Sequence, residues 1–79
     1  KGGILMDELK KGPNYKLRVS FDKEHKEIEI IGNSDGLKYL SEVCQRIIGK
    51  VGPSGHWHFS TSSYTLDKGS IDLVIAFEE

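Results

Sequence analysis

The sequence predicts an α+β domain. Two hairpins form one four-stranded sheet in the order ββαββ, with one helix packed on one face. Three observations lead there. Residues 16–21 and 27–31 alternate apolar and polar side chains, residues 34–48 repeat apolar side chains at steps of three and four, and residues 56–59 and 71–77 alternate again.

The elements follow in chain order. Residues 1–15 read as an N-terminal tail, in which Leu5, Met6 and Leu9 fit one side of a short helical turn before Gly12-Pro13-Asn14 breaks it. Residues 1–5 read either as native chain or as a remnant of cloning or of an interdomain segment, with Met6 as the native start. Residues 16–79 read as a single α+β domain. The first strand points Leu17, Val19 and Phe21 inward and Lys16, Arg18 and Ser20 outward. Residues 22–26 are polar and of hairpin-loop length. The second strand sends Ile28 and Ile30 inward and Glu27 and Glu29 outward.

Gly32-Asn33-Ser34-Asp35-Gly36 combines a turn with helix-start chemistry. Asn33 or Ser34 can accept from the free amides of the first turn, and Asp35 suits the positive end of the helix dipole. Leu37, Leu40, Cys44, Ile47 and Ile48 form the expected buried stripe, and Gly49 is expected to close the helix by a left-handed cap. Gly52-Pro53-Ser54-Gly55 is a loop, and Trp57 and Phe59 face the core from the third strand. Residues 60–69 are a mostly polar connection in which Tyr64 and Leu66 pack. In the last strand Ile71, Leu73, Ile75 and Phe77 point inward.

Size and charge bound the function. A chain of 79 residues buries only about 60% of its unfolded surface, so its core is small. A net charge of −1 gives no general attraction to nucleic acid or anionic lipid. No run approaches the roughly 20 apolar residues of a membrane span. A lone cysteine, Cys44, cannot staple a monomer, and no signal-peptide pattern is visible; both fit a cytoplasmic protein.

No reaction is spelled out. His56 and His58 share one strand face at a spacing that can chelate, but zinc needs third and fourth ligands, so the expectation is no metal. Cys44 falls on the helix stripe and reads as buried packing rather than a nucleophile. Ser60-Thr61-Ser62-Ser63 lacks a nucleophile elbow, and Gly32 and Gly36 do not have phosphate-loop spacing. One helix covers one sheet face and leaves the other uncovered. That face would carry Arg18, Glu27, Glu29, His56, His58, Asp72, Val74 and Ala76. It is either plain solvent-facing sheet or a docking surface centred on Arg18, Glu29, His56, His58 and Asp72.

Three segments carry a family resemblance: Ile30-Ile31-Gly32-Asn33-Ser34-Asp35-Gly36-Leu37 with Leu40, then Gly55-His56-Trp57-His58-Phe59, then Leu66-Asp67-Lys68-Gly69-Ser70-Ile71-Asp72-Leu73. In these the chain resembles the immunity protein 32 family, small bacterial proteins expected to neutralise toxins. The resemblance implies a non-enzymatic binding protein with no cofactor and a toxin domain as partner. Self-association of a structural or regulatory domain through the same face is the alternative, and a metal-dependent enzyme using His56 and His58 comes last.

Overall fold

The computed structural model describes residues 9–78. The α+β class holds, with one helix between two hairpins. Strands β1 (Leu17–Asp22) and β2 (Glu27–Gly32) pair antiparallel in unbroken register from Leu17 opposite Gly32 to Asp22 opposite Glu27. The turn between them is closed by Asp22, whose Oδ1 accepts from the Glu24 amide at 3.0 Å, and by Lys26 in a left-handed conformation at φ 56°. Strands β3 (His56–Phe59) and β4 (Leu73–Ala76) pair antiparallel from His56 opposite Ala76 to Phe59 opposite Leu73.

The expected single four-stranded sheet does not form; the two hairpins are separate two-stranded sheets. Residues 67–71, which were expected to lead into a last strand beginning at Ile71, run beside β1 as irregular chain. The Asp67 amide donates to the Leu17 carbonyl at 2.8 Å and the Ile71 amide to the Val19 carbonyl at 2.9 Å. The acceptors are two residues apart and the donors four, so this segment bulges and cannot build a regular ladder. Ser70 repairs the mismatch: its Oγ accepts from the Val19 amide at 3.2 Å, where a strand would offer a carbonyl. Ser70 thus couples the two hairpins.

The helix α1 (Ser34–Arg46) continues into a π-helical turn, Ile47–Val51. Gly49 lies inside that turn and is not the cap. The chain leaves the helix at Gly52, whose amide donates to the Ile47 carbonyl at 2.8 Å and whose φ is 86°.

The buried side of α1 also differs from the expected stripe. Gly36, Tyr39, Val43 and Ile47 are buried; Leu40 and Cys44 are half-buried, and Leu37 and Ile48 are exposed. Gly36 is the cause. Having no side chain, it lets the helix backbone lie against the Lys16 carbonyl. At roughly 100° per residue, Leu40, Val43 and Ile47 fall on the line through Gly36, whereas Leu37, Cys44 and Ile48 are turned off it.

The core is Leu17, Val19, Tyr39, Val43, Ile47, Phe59 and Leu66. Tyr39 stands edge-on to both Tyr15 and Phe59, with ring centroids at 5.3 and 5.9 Å. Trp57, Leu73, Ile75 and Phe77 pack around it, half-buried. No residue of β2 enters this core. Ile28 and Ile30 were expected inward yet are 60% and 40% exposed, and Phe21 and Ile71 are exposed as well. Tyr39, Val43 and Ile47 share the core with Leu17 and Val19 of β1 and Phe59 of β3, whereas β2 meets the helix only at its end, where Gly32 lies beside Leu37. Tyr64 is also exposed, so of the two packing residues expected in the 60–69 connection only Leu66 is buried. The expected turn of Leu5, Met6 and Leu9 lies largely outside the described residues; Leu9 packs against the core.

Candidate functional site

The segments that carry the family resemblance are mostly occupied with holding the fold. Asn33 is the helix N-cap: its Oδ1 accepts from the Gly36 amide at 2.9 Å and from the Lys16 amide at 3.2 Å. Its own amide donates to the Lys16 carbonyl at 3.2 Å, and its Nδ2 donates to the Asn14 carbonyl. Asp35 Oδ2 accepts from the Asn14 amide at 3.0 Å. The cap and the first-turn carboxylate therefore clamp the helix start to the chain entering β1, and the Gly36 and Leu37 amides of the first turn already donate to Asn33.

In the second segment, Gly55 is buried. A Cβ there would meet the Val51 side chain and lie 2.9 Å from the Gly52 carbonyl oxygen. Phe59 is fully buried and Trp57 half-buried. That leaves His56 and His58 as the members of this segment with no packing role. Both are exposed on the outer side of the β3–β4 ribbon, opposite Ala76 and Val74. Their rings stand edge to face with centroids 5.0 Å apart.

The other expected site residues divide between the two ribbons. Arg18 and Glu29 are exposed on the outer side of the β1–β2 ribbon, where Arg18 faces Ile31 and Glu29 faces Ser20, so the two are diagonal neighbours. Asp72 is exposed in the irregular chain before β4, not within a strand. The pairs Arg18–Glu29 and His56–His58 are each brought together. Among the described residues no hydrogen bond or ion pair joins one pair to the other, and the continuous sheet face expected to unite them is split at residues 67–71.

One cluster escaped the sequence reading. Asp22, Glu24 and His25 each offer a ligand atom within 4.8 Å of the others. His25 Nδ1 lies 2.7 Å from Asp22 Oδ2, an ion pair when the ring is protonated. The Asp22 carboxyl is held below the usual carboxylate range, first by the His25 ring and then by the amides of His25 and Glu24. The spacing of an acid two and three residues before Glu24 and His25 in a hairpin loop is the signal; it reads as an Asx turn with a histidine lid.

Cys44 is half-buried, not buried. With Ile47, Ile48, Ile75, Ala76 and Phe77 it lines an open apolar cleft of about 270 Å³. The hydroxyl run is self-satisfied: Ser60 Oγ, Ser63 Oγ and Thr65 Oγ1 bond one another, with the Ser60–Ser63 contact at 2.9 Å. Among the described residues no histidine hydrogen-bonds to either group. Tyr15 donates its hydroxyl to the Thr65 carbonyl at 2.6 Å, and burial, with Tyr39 and Asp67 nearby, pushes its pKa up to about 12.

The fold and these faces define a small α+β module whose candidate polar groups stand on exposed ribbons rather than in a cavity. The sequence model of Immunity protein 32 matches residues 27–78, and the chain belongs to that family. No curated protein and no solved structure matches it. No helix among the described residues is long and apolar enough to cross a membrane.

Proposed function

We propose that this chain is a non-catalytic immunity protein that binds a bacterial toxin domain in the cytoplasm and blocks it. The observation that carries the reading is family membership across residues 27–78. The structure lends support because the family-like segments spend Gly36, Asn33, Gly55, Phe59 and Ser70 on architecture. They leave His56 and His58 exposed, with no side-chain hydrogen bond to another described residue. Those histidines, with Arg18, Glu29 and Asp72, are the proposed contact residues. Charged and aromatic groups on a rigid ribbon lose little entropy on docking.

The test is protection. A toxin domain encoded beside this gene is expressed with and without the protein, growth is scored, and direct binding is measured by calorimetry. Rescue with one-to-one binding is expected. The double charge reversal Arg18→Glu with His58→Glu is expected to slow association and weaken binding. Rescue without binding, or unchanged affinity in the double variant, overturns the reading or its surface respectively.

A further inference from the structure

The outer edge of β2, which no described residue pairs, is the strongest candidate in the molecule. Backbone pairing shows which way its groups point. The Asn33 amide donates to the Lys16 carbonyl, so the hydrogen-bonded pairs of this antiparallel ribbon are those including Arg18–Ile31, Ser20–Glu29 and Asp22–Glu27. The intervening residues turn their backbone groups away from the ribbon. On β1 this is visible directly: the Leu17 and Val19 carbonyls and the Val19 amide bond residues 67–71. By the same alternation Ile28 and Ile30 present amide and carbonyl outward from β2. Among the described residues nothing bonds them.

The edge lacks most of the usual protection. β2 is six residues long, carries no proline or lysine, and keeps regular register along its whole length without a bulge. Its helix-side face shows Ile28 at 60% and Ile30 at 40% exposure, with Phe21 beside them at 47%. Its outer face shows Glu27 and Glu29, neither in an ion pair with a described residue.

We propose that β2 accepts an extended segment of the partner as an added strand, and that this segment alternates apolar with basic side chains. This rests on the binding-protein reading and specifies its geometry. Main-chain hydrogen bonds to Ile28 and Ile30 hold the segment, its apolar side chains extend the Phe21–Ile28–Ile30 surface, and its cations lie beside Glu27 and Glu29. On its inner edge β2 sets Glu29 opposite Ser20 and Glu27 opposite Asp22, so neither acid has a cation directly across from it within the ribbon. A second copy of β2 is the poorer occupant. Antiparallel pairing centred on Glu29 sets Glu29 against its own equivalent, pairing centred on Ile28 sets Glu27 against Glu29, and pairing centred on Ile30 opposes no acids but gives neither Glu27 nor Glu29 a cation.

The experiment titrates the whole isotope-labelled chain with the capped peptide Lys-Val-Lys-Val-Lys-Val and with its Glu-Val counterpart, followed by amide NMR. Saturable shifts at Ile28 and Ile30 with the basic peptide are expected, and affinity at least about tenfold weaker for the acidic one. Ile30→Pro deletes an outward amide without touching a β1–β2 hydrogen bond and is expected to abolish those shifts with the fold intact by circular dichroism. Glu27→Lys with Glu29→Lys is expected to exchange the peptide preference. Equal response to both peptides, or shifts confined to His56, His58, Val74 and Ala76, overturns the inference. Concentration-dependent broadening at Ile28 and Ile30 without peptide assigns the edge to a second copy and overturns it too. The protection assay separates the two readings. If wild type and Ile30→Pro both protect, the edge inference fails and the immunity reading stands. If wild type does not protect, the immunity reading fails and the titration alone decides the edge.

Discussion

Gly36→Ala is expected to destabilise this protein, although glycine to alanine inside a helix ordinarily stabilises by about 1 kcal/mol. A Cβ at Gly36 would stand 2.8 Å from the Lys16 carbonyl carbon and nearer still to its oxygen. Carbon contacts are comfortable at about 3.5–4.0 Å, so the helix start and β1 must part by about 1 Å. Overpacking of this kind costs about 1–3 kcal/mol. The separation also stretches the two hydrogen bonds by which Asn33 holds the Lys16 peptide, each contributing about 1 kcal/mol. Set against the helix gain, the net loss is about 2–4 kcal/mol. In urea, with a slope of about 1 kcal/mol/M for so small a domain, the midpoint falls by about 2 M or more. Gly49→Ala is the control: no atom lies within 4 Å of its added Cβ, and its midpoint is expected to hold or rise. A Gly36→Ala midpoint equal to or above wild type, at unchanged slope, would refute the close approach that sets the roll of the helix.

Three further outcomes are expected. Ser70→Ala leaves the amide of Val19, a residue only 1% exposed, without its acceptor. Stability falls by about 1–3 kcal/mol, and hydrogen exchange at the Val19 amide accelerates relative to the β1–β2 ladder; unchanged protection there sinks the bridging role. Tyr15 stays neutral to about pH 12 in the folded protein. Because its folded pKa is raised, its contribution is complete below the unfolded value near 10 and is lost as pH rises from there to about 12. Ultraviolet phenolate titration of wild type and Tyr15→Phe checks this, and loss of an ordinary-range step in the variant contradicts it. Asp22 has a depressed pKa, so its contribution is present above the unfolded value and lost as pH falls through the lower folded one. His25→Ala is expected to move the Asp22 carboxyl carbon titration upward, and coincident curves count against the His25 contact.

Much of the local structure was legible in the sequence. Alternation placed β1 and β2 within a residue, and Asn33 with Asp35 announced the helix start, because period and capping depend on neighbours in the chain. Phe59, Leu17 and Val19 were readable as core for the same reason. The helix roll was not: the apolar arc of α1 is wide enough for either stripe, and only the close approach of Gly36 to Lys16 chose Tyr39, Val43 and Ile47 over Leu37, Cys44 and Ile48. The exposure of Ile28 and Ile30 was equally hidden, since alternation marks an apolar face without saying whether another element reaches it. The candidate surface shows the same division. The sequence by itself determined the secondary elements, the family and the outward direction of Arg18, Glu29, His56 and His58, all of which follow from local periodicity. Tertiary structure alone decided that residues 67–71 bulge along β1, dividing the sheet and leaving the outer edge of β2 unpaired by any described residue, because a two-against-four spacing of hydrogen-bond partners exists only once distant segments meet.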